Sequence, residues 1–384
     1  MKRSMWMKVG AVVFAGALLT ACSTNTEAPS GSEAPESVEP VSITFDPETK
    51  TLVPDVPVDE WCGDQPAKLG ITDGVPFNAW RQIAFAIIEK EAAKCPAIDS
   101  EVLYVTAGGD QQKAVSDINA LVAQGVTLIQ GWMDFGEAQL PAIKAATAAG
   151  VTVVPYGASV GGKPGVDYAA TTLIDNFAAG EALAKNVAEY LDGKGNIFVI
   201  GGIPGAPSSQ ALFDGVKEGL KDFPDITILV DNYVVTNWSP VDAQKATTGL
   251  ISKFPEVDAV LADYGATTVG VVNAFQAAGK PIPAIGVVGV GNELGCVWEK
   301  NSTTDDRFEL FSQDSAHGTV LAGVQQGIGA ATGGFYNVLQ HYVPPAVNNT
   351  PAGTNPKCDA SLPVDTDFTS PLTDEELVAV LTEQ

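Results

Sequence analysis

Asp110-Gln-Gln-Lys-Ala-Val-Ser-Asp-Ile-Asn-Ala-Leu-Val-Ala-Gln-Gly-Val-Thr-Leu-Ile-Gln130 decides the fold. Asp110 suits a helix N-cap, Val115, Ile118, Leu121 and Val122 recur at helical spacing, and Gly125 halts the helix before the apolar run Val126 to Gln130. The same order follows at once, with a predicted helix from Glu137 to Ala149, Gly150, and a predicted strand from Val151 to Pro155.

Upstream, Phe77, Trp80, Ile83, Ala84, Ile87 and Ile88 share one face of an earlier helix. Downstream, the pattern predicts a helix over Asn176 to Leu191, a strand over Asn196 to Ile200, a helix capped by Ser208 and a strand over Ile226 to Val230. Ser239-Pro240 is a cap and first-turn pair for the next helix, ahead of a strand over Val257 to Ala262. A helix over Ala266 to Ala278 and strands over Ala284 to Val290 and Phe308 to Ser312 complete the series. Strands this apolar, alternating with helices, imply parallel sheets covered on both faces. At 384 residues the chain exceeds the size at which one core usually stops growing, about 250–300 residues, so the expectation is α/β with two doubly wound lobes.

The composition excludes several functions. Forty-six acidic against 21 basic residues give a formal charge of -25, which argues against nucleic acid as a partner. Two histidines, His317 and His341, are too few for imidazole-rich metal sites, and no P-loop, H-E-x-x-H or zinc cysteine pattern occurs, so neither a metal nor a cofactor is implied.

The first 21 residues read as a signal peptide: Lys2, Arg3 and Lys8 precede the apolar run Val9 to Leu19, which is too short to span a bilayer. Leu19-Thr20-Ala21-Cys22 resembles a bacterial lipobox, which implies lipidation of Cys22; an ordinary secretory signal is the alternative. Cleavage there leaves 18 bases against 46 acids, a charge of -28. Residues 22–60, rich in Ser, Pro, Glu and Thr, read as a disordered tether. Cys62 lies just before the first predicted strand and Cys95 at the end of the first helix, so their pairing is predicted, and by elimination that of Cys296 with Cys358; four free thiols are the alternative in this exported chain.

Ala67-Lys-Leu-Gly-Ile-Thr-Asp73 with Val75-Pro76-Phe77-Asn78 resembles the first strand and binding loop of type I periplasmic sugar-binding proteins. The Asp110 helix, Leu173-Ile174-Asp175-Asn176, Phe275-Gln-Ala-Ala-Gly279-Lys280 and Val287-Val288-Gly289 are similar to later stations of that family, and the likeness spans roughly residues 65–335. The resemblance implies an N-terminal lobe of residues 61–173 with 314–340 and a C-terminal lobe with tail of residues 174–313 with 341–384, joined by three crossovers. It also implies a monomer at the extracytoplasmic face that closes over a small polar ligand and delivers it to the membrane subunits of an ABC importer.

Ligands of parallel α/β sheets sit outside the carboxyl ends of the strands. Those loops supply Asp73, Phe77, Asn78, Asp110, Trp132, Asp134 and Tyr156 from the first lobe, and Asp175, Gln210, Trp238, Asp263, Tyr264, Asn292 and Gln313 from the second. Carboxylates and amides suit hydroxyl groups, and aromatic faces cover C–H patches. Trp80, at helical spacing, is read as core, and Asp110 and Asp175 also fit N-caps. Where the family places Asp-Arg after the fourth strand this chain has Gly157-Ala158; it has Gly291-Asn292 in place of a later Asp, and Gln210 and Leu212 near a missing arginine. The loss of bidentate groups argues against a standard pyranose and leaves open a furanose, a sugar alcohol or a smaller neutral polar molecule.

Two other readings compete. Gly157-Ala-Ser-Val-Gly161 matches a hydrolase nucleophile elbow, with Ser159 as nucleophile and His317 as base, although the following Gly161-Gly-Lys-Pro-Gly165 continues as loop where an elbow needs a helix. A ligand-sensing receptor lobe would require a separate signalling partner. Near the end, Thr373 and Glu376 form a capping box for a last helix, and Cys358 is expected to pin the tail to the second lobe.

Overall fold

The computed structural model describes residues 39–75 and 78–382. Cys22 and Phe77 therefore lie outside the described residues.

The described residues begin with β1 (Val41–Asp46), β2 (Thr51–Val53) and a short α1 (Val58–Trp61). Strand and helix then alternate: β3 (Leu69–Asp73), α2 (Ala79–Ala92), β4 (Leu103–Thr106), α3 (Gln111–Ala123), β5 (Leu128–Trp132), α4 (Leu140–Ala148), β6 (Thr152–Gly157) and β7 (Thr171–Ile174). The second half runs α5 (Asn176–Tyr190), β8 (Lys194–Gly201), α6 (Pro207–Gly219), β9 (Asp225–Ile228), β10 (Val234–Val235), α7 (Pro240–Lys253), β11 (Ala259–Ala262) and α8 (Gly265–Ala277). It closes with β12 (Ala284–Val288), α9 (Asn292–Asn301), β13 (Leu310–Gln313), α10 (His317–Thr332), β14 (Leu339–Tyr342), β15 (Ala346–Asn349) and α11 (Asp374–Thr382).

These strands make two sheets. The first has the order β2-β1-β14-β7-β6-β5-β3-β4 and the second β10-β8-β11-β12-β13-β15, with β9 also on β8. All pairings are parallel except β1 with β2 and β13 with β15. Every residue of β3, β5, β11, β12 and β13 is buried, which is the cost of covering a parallel sheet with helices on both sides. Each sheet accordingly has two apolar cores; Ile83, Ile87 and Val320 pack on one face of the first sheet, and Ile118, Leu121 and Ile143 on the other. In the first sheet β4 and β5 flank β3 on opposite sides, so successive connections diverge above its carboxyl end and leave a crevice there.

Local signals fall where the side chains require them. Asp110 Oδ1 accepts from Gln112 N at 2.8 Å and Lys113 N at 3.0 Å, and Ser239 Oγ accepts from Asp242 N at 3.3 Å. The predicted Ser208 cap is corrected: α6 begins two residues earlier, with Ala206 as N-cap and Pro207 in the first turn, which leaves Ser208 inside the helix. Thr373 and Glu376 exchange the two hydrogen bonds of a capping box. Both disulfides form as paired from the sequence, with Cα–Cα distances of 5.4 Å for Cys62–Cys95 and 4.7 Å for Cys296–Cys358.

The expected tether over 22–60 is too long. Val41-Ser-Ile-Thr-Phe45 alternates apolar and polar residues, Ile43 and Phe45 are buried, and β1 pairs in parallel with β14. The lobe boundary at 340/341 cuts through β14, which lies wholly in the first sheet, between β1 and β7. The tail also departs from a simple assignment to the second lobe: Leu372 and Leu377 enter the core that surrounds Ile87 and Ile88 in the first.

Candidate functional site

A cavity of about 120 Å³ opens between the two sheets, at the carboxyl ends of their strands. By the volume that one water needs, roughly 10–15 Å³, it holds a molecule of about ten non-hydrogen atoms.

The first-lobe wall grows from the start of α2 and the end of β5. Asn78 caps α2 by accepting from Arg81 N at 3.0 Å, which fixes Trp80 and Arg81 in the helix's first turn. Trp80 and Trp132 meet edge to face at 5.0 Å, and the Arg81 guanidinium lies 4.9 Å and 5.0 Å from their ring centroids. Arg81 is held from behind, with Nη2 2.9 Å from Asp134 Oδ1 and Nη1 3.3 Å from Asp73 Oδ1. Asp134 Oδ2 also accepts from Gly74 N at 3.0 Å. Burial pushes Asp73 up to about 8, an effect that Arg81 opposes and the adjacent Asp134 reinforces. Burial likewise raises Asp134.

The second-lobe wall follows β8 and β11. Trp238 sits at φ 52° over Gly202, where a Cβ would lie 2.0 Å from the indole ring. Its Nε1 donates to Asp263 Oδ2 at 3.2 Å, and Ser209 Oγ donates to the same oxygen at 2.5 Å. Asp263 Oδ1 is buried and has no hydrogen-bond partner among the described residues. Burial lifts Asp263 to about 6, although those two donors act against it. Tyr264, Glu293 and Asp365 complete this side.

The floor is the crossover between β13 and α10. His317 stacks on Trp80 at 4.6 Å and 16°, and its Nε2 donates to Trp80 O at 3.1 Å. On the opposite edge His317 Nδ1 lies 2.6 Å from Asp367 Oδ2 and 2.8 Å from Ser315 Oγ, which itself donates to Asp367. Burial would raise Asp367, but His317, Ser315 and Thr369 together hold its carboxyl below the usual range.

The structure thus brings five predicted residues to the cavity: Asn78, Trp132, Trp238, Asp263 and Tyr264. Asp73, Asp134 and Tyr156 stand behind that wall; Tyr156 is buried, edge-on to Trp132 at 6.4 Å. Asp110 is an exposed cap, Asp175 caps α5 by accepting from Ala178 N at 2.9 Å, and Gln210 donates to Asp214 at 3.1 Å. Gln313 is buried at the end of β13, outside the cavity lining. Asn292 is also corrected: its amide donates to the carbonyls of Asp359, Leu362 and Pro363 and so holds the tail. Trp80, read from its spacing as core, lines the cavity because it occupies the first helical turn at the cleft mouth. Arg81, Glu293, Asp365 and Asp367 carried no local signal; their roles depend on distant parts of the chain meeting.

The serine hydrolase reading fails on geometry. Ser159 is exposed and accepts from Gly161 N at 3.2 Å, whereas His317 is 1% exposed and engaged at both nitrogens. Ser315, His317 and Asp367 do not substitute as a triad, because serine and carboxylate share one imidazole nitrogen.

A family model described as "Periplasmic binding protein domain" matches residues 76–297, more than half of the chain. The xylitol-binding protein of Mycolicibacterium smegmatis is 27% identical over 199 residues, covering 51% of this chain and 56% of that protein. The chain therefore spans little more than half the length of that relative. The ribose import binding protein of Bacillus subtilis is 28% identical over 234 residues, 59% of this chain and 72% of that one. Among solved structures, an ABC transporter solute binding protein from Bacillus halodurans with bound myo-inositol superposes with a TM-score of 0.64 at 16% identity, covering 74% of this chain and 95% of that one.

Proposed function

This chain belongs to the periplasmic binding protein family, in its type I sugar-binding branch, and from that premise we propose that it captures a pentose-sized polyol or furanose between its lobes for an ABC importer. The observation that carries the ligand class is the pairing of aromatic faces with a buried, unpartnered acceptor. Trp80 and Trp132 offer apolar walls, and Asp263 Oδ1 awaits a hydroxyl donor. Arg81, the one Lys or Arg among the described residues of the cavity lining, is consumed by Asp73 and Asp134, so the site favours a neutral ligand over a sugar acid.

Function in this reading is hinge closure. Residues 41–174 with 314–342 form one lobe and the strands from β8 to β13 the other; the ligand touches both and shifts the ensemble toward the closed form by its differential affinity. Cys22 lipidation anchors the protein at the extracytoplasmic face, and the importer's membrane subunits take the ligand from the closed monomer.

A thermal-shift screen of xylitol, ribitol, D-ribose, D-xylose and myo-inositol tests the ligand class. A true ligand at a hundred times its Kd stabilises by about 2.7 kcal/mol. Stabilisation by none of these, with a shift from an amino acid or a sugar acid, overturns the proposal.

A further inference from the structure

The strongest feature left over is the tail. After Cys358 it is held on the second lobe: Asn292 grips Asp359, Leu362 and Pro363, Glu293 N donates to Val364 O at 2.8 Å, and Asn292 N donates to Thr366 O at 2.8 Å. At Asp367 it reaches the β13–α10 crossover through His317 and Ser315. Beyond it, Lys50 Nζ donates to Ser370 O at 2.6 Å, Leu372 and Leu377 enter the first-lobe core, and Lys90 pairs with Glu376 at 2.8 Å. The tail is therefore fastened to one lobe by a disulfide and to the other by a core helix, and Val364, Asp365 and Asp367 line the cavity as it passes. Asp365 has no ion pair or side-chain hydrogen bond among the described residues, and burial alone acts on its carboxyl.

We propose that the strap over residues 358–374 is a third wall of the binding cleft and a fourth crossing between the lobes, and that Asp365 is a ligand-contacting carboxylate. The three chain crossovers of a two-lobed hinge leave the cleft mouth open on one side. Here the strap covers that side, limits how far the lobes part, and presents Asp365 opposite the Trp80–Trp132 wall. Opening the cleft then requires the Asp367–His317–Ser315 cluster to yield, since it ties strap, crossover and Trp80 together. The inference rests on the sugar-binding reading only for the role of Asp365.

The test uses the whole chain with Ala145→Cys and Lys245→Cys, two exposed positions on α4 and α7, carrying spin labels for interlobe distances. A specific protease sequence placed between the exposed Ala360 and Ser361, combined with Asn292→Ala, breaks the strap's covalent link to the second lobe and removes the Asn292 side-chain grip, leaving there only the backbone bonds at Val364 and Thr366, while α11 stays in the first-lobe core. Cutting is expected to broaden and lengthen the ligand-free distance distribution; an unchanged distribution in fully cut, folded protein overturns the crossing. Should the cut protein lose its fold, Asp367→Asn in the intact chain is expected to lengthen the distances, and no change there overturns it equally. With whichever of xylitol, D-ribose or myo-inositol stabilises most, Asp365→Ala is expected to weaken binding roughly tenfold, the scale of one charge-assisted hydrogen bond. Unaltered affinity overturns the contact. Failure of all three sugars overturns the contact and the sugar reading together, while the distances still decide the crossing.

Discussion

Trp132 occupies the place that a side chain on Gly157 would need: a Cβ there would lie 2.5 Å from Trp132 Cε3, and Gly157 has φ 83°. The family's charged residue after the fourth strand is thus exchanged for an aromatic wall. A bidentate carboxylate and an indole cannot share that volume, so the departure from Asp-Arg at Gly157-Ala158 and the presence of Trp132 are one substitution in physical terms.

Gly157→Ala is accordingly expected to cost about 1–3 kcal/mol through its backbone conformation and, by displacing the indole, to weaken ligand binding by roughly tenfold or more. Gly279→Ala is the control, since it shares a positive φ of 63° but has nothing within 4 Å of its Cβ. Urea unfolding and calorimetric titration of both variants check this: the larger stability loss falls on Gly157→Ala, whose Cβ also meets the indole, and the affinity loss is confined to it.

Arg81 braces the aromatic wall and neutralises buried acid. Arg81→Met leaves Asp134 with only Gly74 N and the neighbouring Asp73 carboxyl, and removes the cation between the two indoles. Removing one partner of a buried pair costs about 3–5 kcal/mol, so a loss of that size is expected in urea unfolding at neutral pH. Arg81→Lys, which cannot fork between Asp73 and Asp134, is expected to recover less than half of it.

Much of this site was legible because its residues sit where a strand ends and a helix begins. Trp132 ends β5, Asp263 and Tyr264 lie between β11 and α8, and Asn78 caps α2, positions that hydrophobic period and, for Asn78, cap chemistry mark in the chain. Trp80 packs against the first-lobe core, as its spacing predicts, and also lines the cavity; only its height in the helix, one turn from the cleft, marks the second role. Asn292 was misread because a polar side chain at a helix start advertises hydrogen bonds without saying to what. Asp365 and Asp367 were illegible for a deeper reason. Their place depends on a chain return fixed by Asn292, Cys296 and the burial of Leu372, contacts between segments too far apart for any local pattern. The strand Val41–Asp46 was hidden by its acidic, proline-rich surroundings although its alternation was present.

Stability is expected to peak on the acid side of neutrality. Burial raises Asp263 to about 6, Asp314 to about 7 and Asp73 to about 8, from an ordinary value of 3.8. Between 3.8 and those values the native state holds protons that the unfolded state has released, so stability is full below 3.8 and is lost as pH rises through about 6, 7 and 8. Asp367, held below its ordinary value, acts oppositely and removes stability only as pH falls further. Scanning calorimetry should show Tm falling from pH 5 to 9, and Asp314→Asn should flatten the portion near 7. A Tm that rises over that range refutes the assignment.

Asn292 makes a sharper test of the strap, because a truncation and a near-isosteric substitution have different chemistry there. Its Nδ2 donates to three carbonyls, at 2.8, 3.2 and 3.1 Å, while its Oδ1 accepts from Asp359 N at 2.9 Å. Asn292→Ala empties the site and leaves those carbonyls to water or to each other. Asn292→Asp, the residue that the family resemblance would place here, keeps the acceptor but sets a buried anion against three carbonyl oxygens. An unsatisfied buried group costs about 1–3 kcal/mol, and more when charged, so Asp is expected to loosen the strap more than Ala does. Hydrogen exchange at the amides of residues 359–367 reads this directly. Faster exchange in Asn292→Asp than in Asn292→Ala, with the order reversing at a pH low enough to protonate the aspartate, is the expected pattern. Equal exchange in the two variants would mean that the amide does not hold the strap.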